Sequence, residues 1–238
     1  MLELNDILGK IKGSKKFTPV RGETTQYSFV FPELNGLGVM TLNLLLYRLN
    51  NINQRVVIYL QDNKAVNKVD VASGLYTMDD IGRKRAEVVR DKYAGSFDNV
   101  RLIDVIKGTA FLRSALGDRN LFYIDTSKNG EKEDYEILFR NQSFDKFKRN
   151  NAYIRYEQID GESDVVKLDL RSVGLVVSKE DYPIQNSKIT KKDRYIKNTI
   201  ASVTIASIVN NLVTEGMDIN FSAVQFGVKE GTQKEYIE

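Results

Sequence analysis

Apolar residues in this chain fall into short dense runs separated by polar, turn-forming stretches, and the spacing inside each run predicts its element. QYSFVF, Gln26 to Phe31, is strand-like and stops at Pro32. The run Val39 to Leu49 is apolar on nearly all sides, which predicts a helix held between a sheet and another layer. RVVIYL, Arg55 to Leu60, is β-branched and aromatic and predicts a second, buried strand, so the three pieces form a βαβ unit. Asp79 and Asp80 predict the start of a helix running to about Tyr93, with acids early and bases late along its axis. Further strands are predicted at Val100 to Val105 and at Leu121 to Ile124, the latter ending at Asp125, with a short helix over Gly108 to Leu116 between them.

In the second half, Lys132 to Lys148 is charged, with spaced aromatic and aliphatic positions that suit an exposed helix. Ala152 to Tyr156 and Val165 to Leu170 flank the turn-rich DGESD and predict a hairpin. Asp193 to Thr214 carries Ile200, Ile205, Ile208, Val209 and Leu212 at helical spacing and is stopped by Gly216, which predicts a long core helix. A last strand is expected at Ile219 to Val228. No repeat or Pro/Gly/Ser linker interrupts the order. The expected organisation is a polar, basic arm over 1–25, a single α/β domain over 26–230 and a polar tail over 231–238. The sheet is expected to be mixed, parallel first and antiparallel later.

Composition narrows the chemistry. With 238 residues, 42% of them hydrophobic, the chain can build its own core. It has no cysteine and no histidine, which excludes disulfides, thiolate metal sites, zinc hydrolases and His-based nucleophilic catalysis. Any reaction must rest on Asp, Glu, Lys, Arg, backbone amides or a bound magnesium ion. The 35 basic and 32 acidic residues interleave to a net +3, too little to point to nucleic acid. The cluster Lys188, Lys191, Lys192, Arg194 and Lys197 reads as a solvated helix start. No apolar window has signal-peptide or membrane-span length, so a soluble cytoplasmic protein without a membrane partner is expected.

One junction suggests a ligand. After the first strand the chain reads Glu33-Leu34-Asn35-Gly36-Leu37-Gly38, and glycines at a strand-to-helix junction let backbone amides approach a phosphate. The signal is weak alone. A dinucleotide fold uses three glycines, close packing of the helix accounts for two equally well, and Glu33 places a like charge beside any phosphate. Asp62, 24 residues after Gly38, stands where a carboxylate accepts ribose hydroxyls in such folds, although a solvated strand-end aspartate would look the same.

From Asn35 onward the chain resembles the ThiF family of ubiquitin-activating-type adenylyltransferases. NGLGVMTLNLLLYRL resembles its glycine loop and first helix, YLQDNKAVNKVDVASGLY its ribose-aspartate segment, and TMDDIGRKRAEVV its DIG-x-x-KA segment. LFYIDT resembles the later strand whose terminal aspartate faces magnesium and phosphates, and KKDRYIKNTIASVTIASIVNNLVTEGMDINFSAVQFGV looks like the C-terminal helix and strand of PRTRC-type ThiF-like proteins, which accompany mobile elements.

The resemblance implies a Rossmann-like ThiF/MoeB-type mixed sheet with flanking helices, ATP and magnesium as cofactors, and a ubiquitin-like or sulfur-carrier protein as partner. It also implies that Gly36 and Gly38 hold phosphates, Asp62 the ribose, Lys64 and Arg85 phosphate charge, and Asp125 the metal. Five positions depart from the family pattern. Lys64 replaces a second aspartate, Asp70 an asparagine, Ser73 and Gly74 an Arg-Gln pair, and Arg85 a lysine. Lys64, Arg83 and Lys84 offer replacement positive charge, although ordinary solvated helix and loop charge would look the same. Losing one preorganised donor commonly costs about 10²–10³ in rate. Without cysteine the family's thioester step is impossible. The expectation is therefore a nucleotide-binding protein with reduced or lost adenylation. The alternative is a non-catalytic subunit that dimerises or docks a partner, in a mobile-element or phage system.

Overall fold

The computed structural model describes residues 26–50, 52, 54–72, 75–105, 120–127, 134–136, 150–158, 163–172, 175–185 and 194–214. Strand β1 is Gln26–Phe31, helix α1 Gly36–Leu49 and strand β2 Arg55–Leu60. A four-residue helix α2, Lys68–Val71, and a 3-10 turn, Met78–Asp80, precede helix α3, Arg85–Tyr93. Strands β3, Val100–Asp104, β4, Asn120–Asp125, β5, Asn150–Gln158, β6, Ser163–Ser172, and β7, Leu175–Gln185, lead to the long helix α4, Arg194–Thr214.

All seven strands form one mixed sheet in the order β3-β2-β1-β4-β5-β6-β7. The first five are mutually parallel, and β6 and β7 complete the sheet antiparallel. The chain steps outward from β1 through β2 to β3 and then returns to the opposite side of β1 as β4. Beyond the carboxyl ends of β1 and β4 such a sheet leaves its natural ligand crevice.

Burial explains why these runs became strands. Phe29 and Phe31 of β1, Ile58 and Leu60 of β2 and Phe122 and Ile124 of β4 share one face, where they meet Leu42, Leu45 and Leu46 of α1 and Ile205, Val209 and Leu212 of α4. The apolar run of α4 is thus core, packed against α1 of the same chain. Residues alternating with these, Val30, Val57, Leu121 and Tyr123, are also buried, so the central strands are covered on both faces.

Two expectations are corrected. The helix expected from Asp79 begins only at Arg85: Gly82, at φ +89°, breaks the path, and the Asp80 carboxylate instead accepts from the Thr77 amide at 2.8 Å. Strand β7 was not foreseen. Its charges and Pro183 disguise it, and they are tolerated because β7 forms the edge of the sheet among the described residues. The helix over Gly108 to Leu116, the strand over Ile219 to Val228 and the arm over 1–25 lie outside the described residues. Of the exposed helix expected over Lys132 to Lys148, residues 134–136 are described and helical, and Asp134 is buried rather than exposed.

Candidate functional site

The loop from β1 into α1 is fixed by its own side chains and by the end of β4. Asn35 caps α1, its Oδ1 accepting the Gly38 amide at 2.9 Å, while its Nδ2 donates to the Thr126 carbonyl at 2.8 Å. Thr126 in turn donates its hydroxyl to the Glu33 carbonyl at 3.0 Å. These bonds bridge the gap between β1 and β4. A β-carbon at Gly38 would lie 2.2 Å from the Glu33 carbonyl oxygen and 2.8 Å from the Thr126 hydroxyl, so Gly38 serves the close seating of helix on loop. Gly36 is the first residue of α1.

Asp62 lies just past the end of β2 and is only 2% exposed. Its Oδ2 accepts the Leu34 amide at 2.7 Å and its Oδ1 the Lys64 amide at 2.9 Å, so the carboxylate ties the β1 loop to the β2 loop. Arg85, at the head of α3 and 5% exposed, reaches into the same place. Its Nε and Nη2 grip Asp70 at 3.0 and 2.8 Å, and its Nη1 lies 3.1 Å from Asp62 and 3.5 Å from Glu33. Lys64, largely exposed, pairs with Glu33 at 3.1 Å. Two of the positions that depart from the ThiF pattern, Asp70 and Arg85, therefore meet as one bidentate pair.

Burial works against the Arg85 charge, but the hydrogen bonds to Asp70 and the attraction of Asp62 hold its pKa above the ordinary value. Tyr76 closes the network by donating to the Leu34 carbonyl at 2.8 Å. Burial pushes that phenol up, with Arg85 opposing, so it stays a neutral donor. Glu33, Asp62 and Asp70 set three carboxylates against the two cations Arg85 and Lys64. The cluster is net negative by formal charge, a poor receptor for a bare phosphate.

Asp125, the last residue of β4, is fully buried. It accepts the Ser127 amide at 3.0 Å and the hydroxyls of Ser127 and Tyr153. Tyr123 and Tyr153 are register partners on β4 and β5 and stack at 5.2 Å, Tyr135 meets Tyr153 edge-on at 5.0 Å, and Tyr123 donates to the buried Asp134. Burial, and then the Asp134 charge, pushes the Tyr123 phenol far up. Sequence reading found Asp125 and missed its tyrosine shelf. The signal was the alternation that puts Tyr123 and Asp125 on one face of β4. Three protein donors already hold the Asp125 carboxylate, two on Oδ1 and one on Oδ2, so a magnesium ion there would have to compete with them. Among the described residues no group of three or more Asp and Glu could hold a metal. Tyr153→Phe removes one donor to Asp125 and is expected to lower stability by about 1–2 kcal/mol in urea unfolding.

Other sequence candidates fall elsewhere. Arg83 pairs with Asp91 at 2.7 Å and lies near Asp80 and Glu87 on the surface. Lys197 reaches Asp164 at 3.5 Å. Ser73, Gly74, Lys188, Lys191 and Lys192 lie outside the described residues.

No family model matches this sequence, and no curated protein does. Solved structures do. The chain is similar to E. coli MccB with ATP, at a TM-score of 0.53 and 14% identity over 82% of this chain and 57% of that one. E. coli MccB alone gives a TM-score of 0.52 and 16% identity over 85% and 58%. The microcin C7 biosynthetic enzyme MccB with N-formylated MccA gives 0.52 and 15% over 82% and 58%. This chain thus spans less than two thirds of the MccB chains it matches. At such identities the likeness is one of fold, and the fold is the ThiF-like, Rossmann-type mixed sheet with flanking helices that MccB carries.

Proposed function

We propose that this chain is a nucleotide-binding protein of the ThiF type, related to adenylyltransferases that activate the carboxylate of a ubiquitin-like or sulfur-carrier protein, with adenylation reduced or lost. The observation that carries the reading is the meeting of Asp62 with the Leu34 amide at the mouth of α1, with Arg85 3.1 Å away. Among the described residues Asp62 Oδ1 accepts one bond, from Lys64, which leaves it capacity for a ribose hydroxyl. Next to it in sequence Gln61 buries both ends of its side-chain amide with no partner among the described residues, an arrangement that costs about 1–3 kcal/mol per group. MccB has been solved with ATP and with N-formylated MccA, which supports a nucleotide and a partner molecule as the ligand classes.

The same geometry supports the reading of reduced or lost adenylation. Adenylation builds negative charge at the α-phosphate and pyrophosphate, and here that charge would develop beside Glu33, Asp62 and Asp70. Arg85 enters the reaction already engaged by those carboxylates. The residues hold and orient a nucleotide; they supply no thioester nucleophile.

A second reading, a non-catalytic subunit that docks a partner or a second copy, is favoured by the completeness of the Arg85 network. Melting with ATP separates the two. Nucleotide at about 100 times its dissociation constant adds about 2.7 kcal/mol, and Asp62→Ala should abolish that gain. No shift in melting temperature at millimolar ATP, with or without magnesium, favours the subunit. Robust pyrophosphate exchange would overturn the loss of adenylation. Among the described residues no helix is long and apolar enough to cross a membrane.

A further inference from the structure

We infer that Glu33 is a built-in rival of the anionic ligand, and that it sets how weakly the crevice takes a phosphate. The inference rests on the nucleotide reading above and names the residue that limits it. Three carboxylates face Arg85 and Lys64, but they are not held alike. Asp62 is fixed by the amides of Leu34 and Lys64, and Asp70 by the Asn67 amide at 2.9 Å and by the bidentate grip of Arg85. Among the described residues the Glu33 carboxylate is held by the two cations alone, Lys64 Nζ at 3.1 Å and Arg85 Nη1 at 3.5 Å.

Its side chain is 15% exposed, at the mouth of the crevice, whereas those of Asp62 and Asp70 are 2% and 4% exposed. Glu33 is therefore the carboxylate that can leave. It is also the one whose departure frees both cations at once while Nε and Nη2 of Arg85 stay on Asp70. A phosphate arriving at Lys64 and Nη1 takes the two ion pairs that Glu33 gives up, and Glu33 turns to water. The exchange trades one anion for another, so the ligand gains little from either cation while Glu33 is present.

The test is calorimetry on the full chain with ATP, inorganic tripolyphosphate and adenosine as probes. Glu33→Gln keeps the shape and removes the charge. It should tighten ATP and tripolyphosphate about tenfold, the size expected of one unit charge across a partly exposed site, and should leave adenosine unchanged. The gain should shrink as salt is raised. Lys64→Gln, at a largely exposed position, should weaken both phosphate probes in the wild-type and the Glu33→Gln background. Equal ATP affinity in wild type and Glu33→Gln overturns the inference and leaves the nucleotide reading standing. So does a gain for adenosine as large as for ATP, which would mark a loop change and not a charge effect. Failure of every protein to bind any probe overturns both.

Discussion

Arg85→Ala should lower the unfolding free energy by about 3–5 kcal/mol, read from the urea midpoint at constant slope. The side chain is buried and is the shared cation of Asp62, Asp70 and Glu33. Removing it leaves two carboxylates that are almost wholly buried facing each other across a hole, without the cation they shared. Such loss exceeds the net worth of the intact pairs, because the penalty comes from stranded charge. Arg85→Lys should fall between wild type and alanine: it keeps the charge but not the planar fork that meets both oxygens of Asp70. A loss under 1 kcal/mol for Arg85→Ala would show that the carboxylates find water or protons at no expense, and that the crevice is open to solvent.

Gly38→Val is the second large effect, expected at about 3 kcal/mol, near the top of the range for overpacked positions. The obstacle is the Glu33 carbonyl, 2.2 Å from the new β-carbon, and backbone cannot rotate away as a side chain does. The head of α1 must shift outward, breaking the Asn35–Gly38 cap and the bonds that Thr126 makes to the loop. Thermal melting and amide exchange at the head of α1 would both register this. Unchanged exchange there would place the strain elsewhere.

The sequence was most legible where burial on both faces left it no freedom. QYSFVF and RVVIYL are strands at the bounds that their composition suggested, and α1 began three residues before the expected Val39 because Asn35 caps it. The long α4 was legible for the same reason. Edge position hid β7, since an edge strand need not be apolar. In the crevice, Gly38 and Asp62 could be named from spacing and Arg85 from the resemblance to the ThiF segment, but neither says who holds whom. That Asp70 and Arg85 pair, or that Tyr123 and Tyr153 stack beneath Asp125, depends on how distant segments come together and on the β4–β5 register. Those are long-range facts that no local pattern encodes.

The hydrogen bonds from Asn35 to Thr126 and from Thr126 to Glu33 join residues 91 and 93 positions apart. Contacts of that reach form late, after the loop-closure entropy of the intervening chain has been overcome. The first βαβ unit can assemble from neighbours, yet the mouth of α1 takes its final shape only when β4 docks. A truncated chain ending before residue 120 would thus possess the glycines and Asp62 without the geometry that gives them meaning, and the crevice becomes a property of the completed sheet.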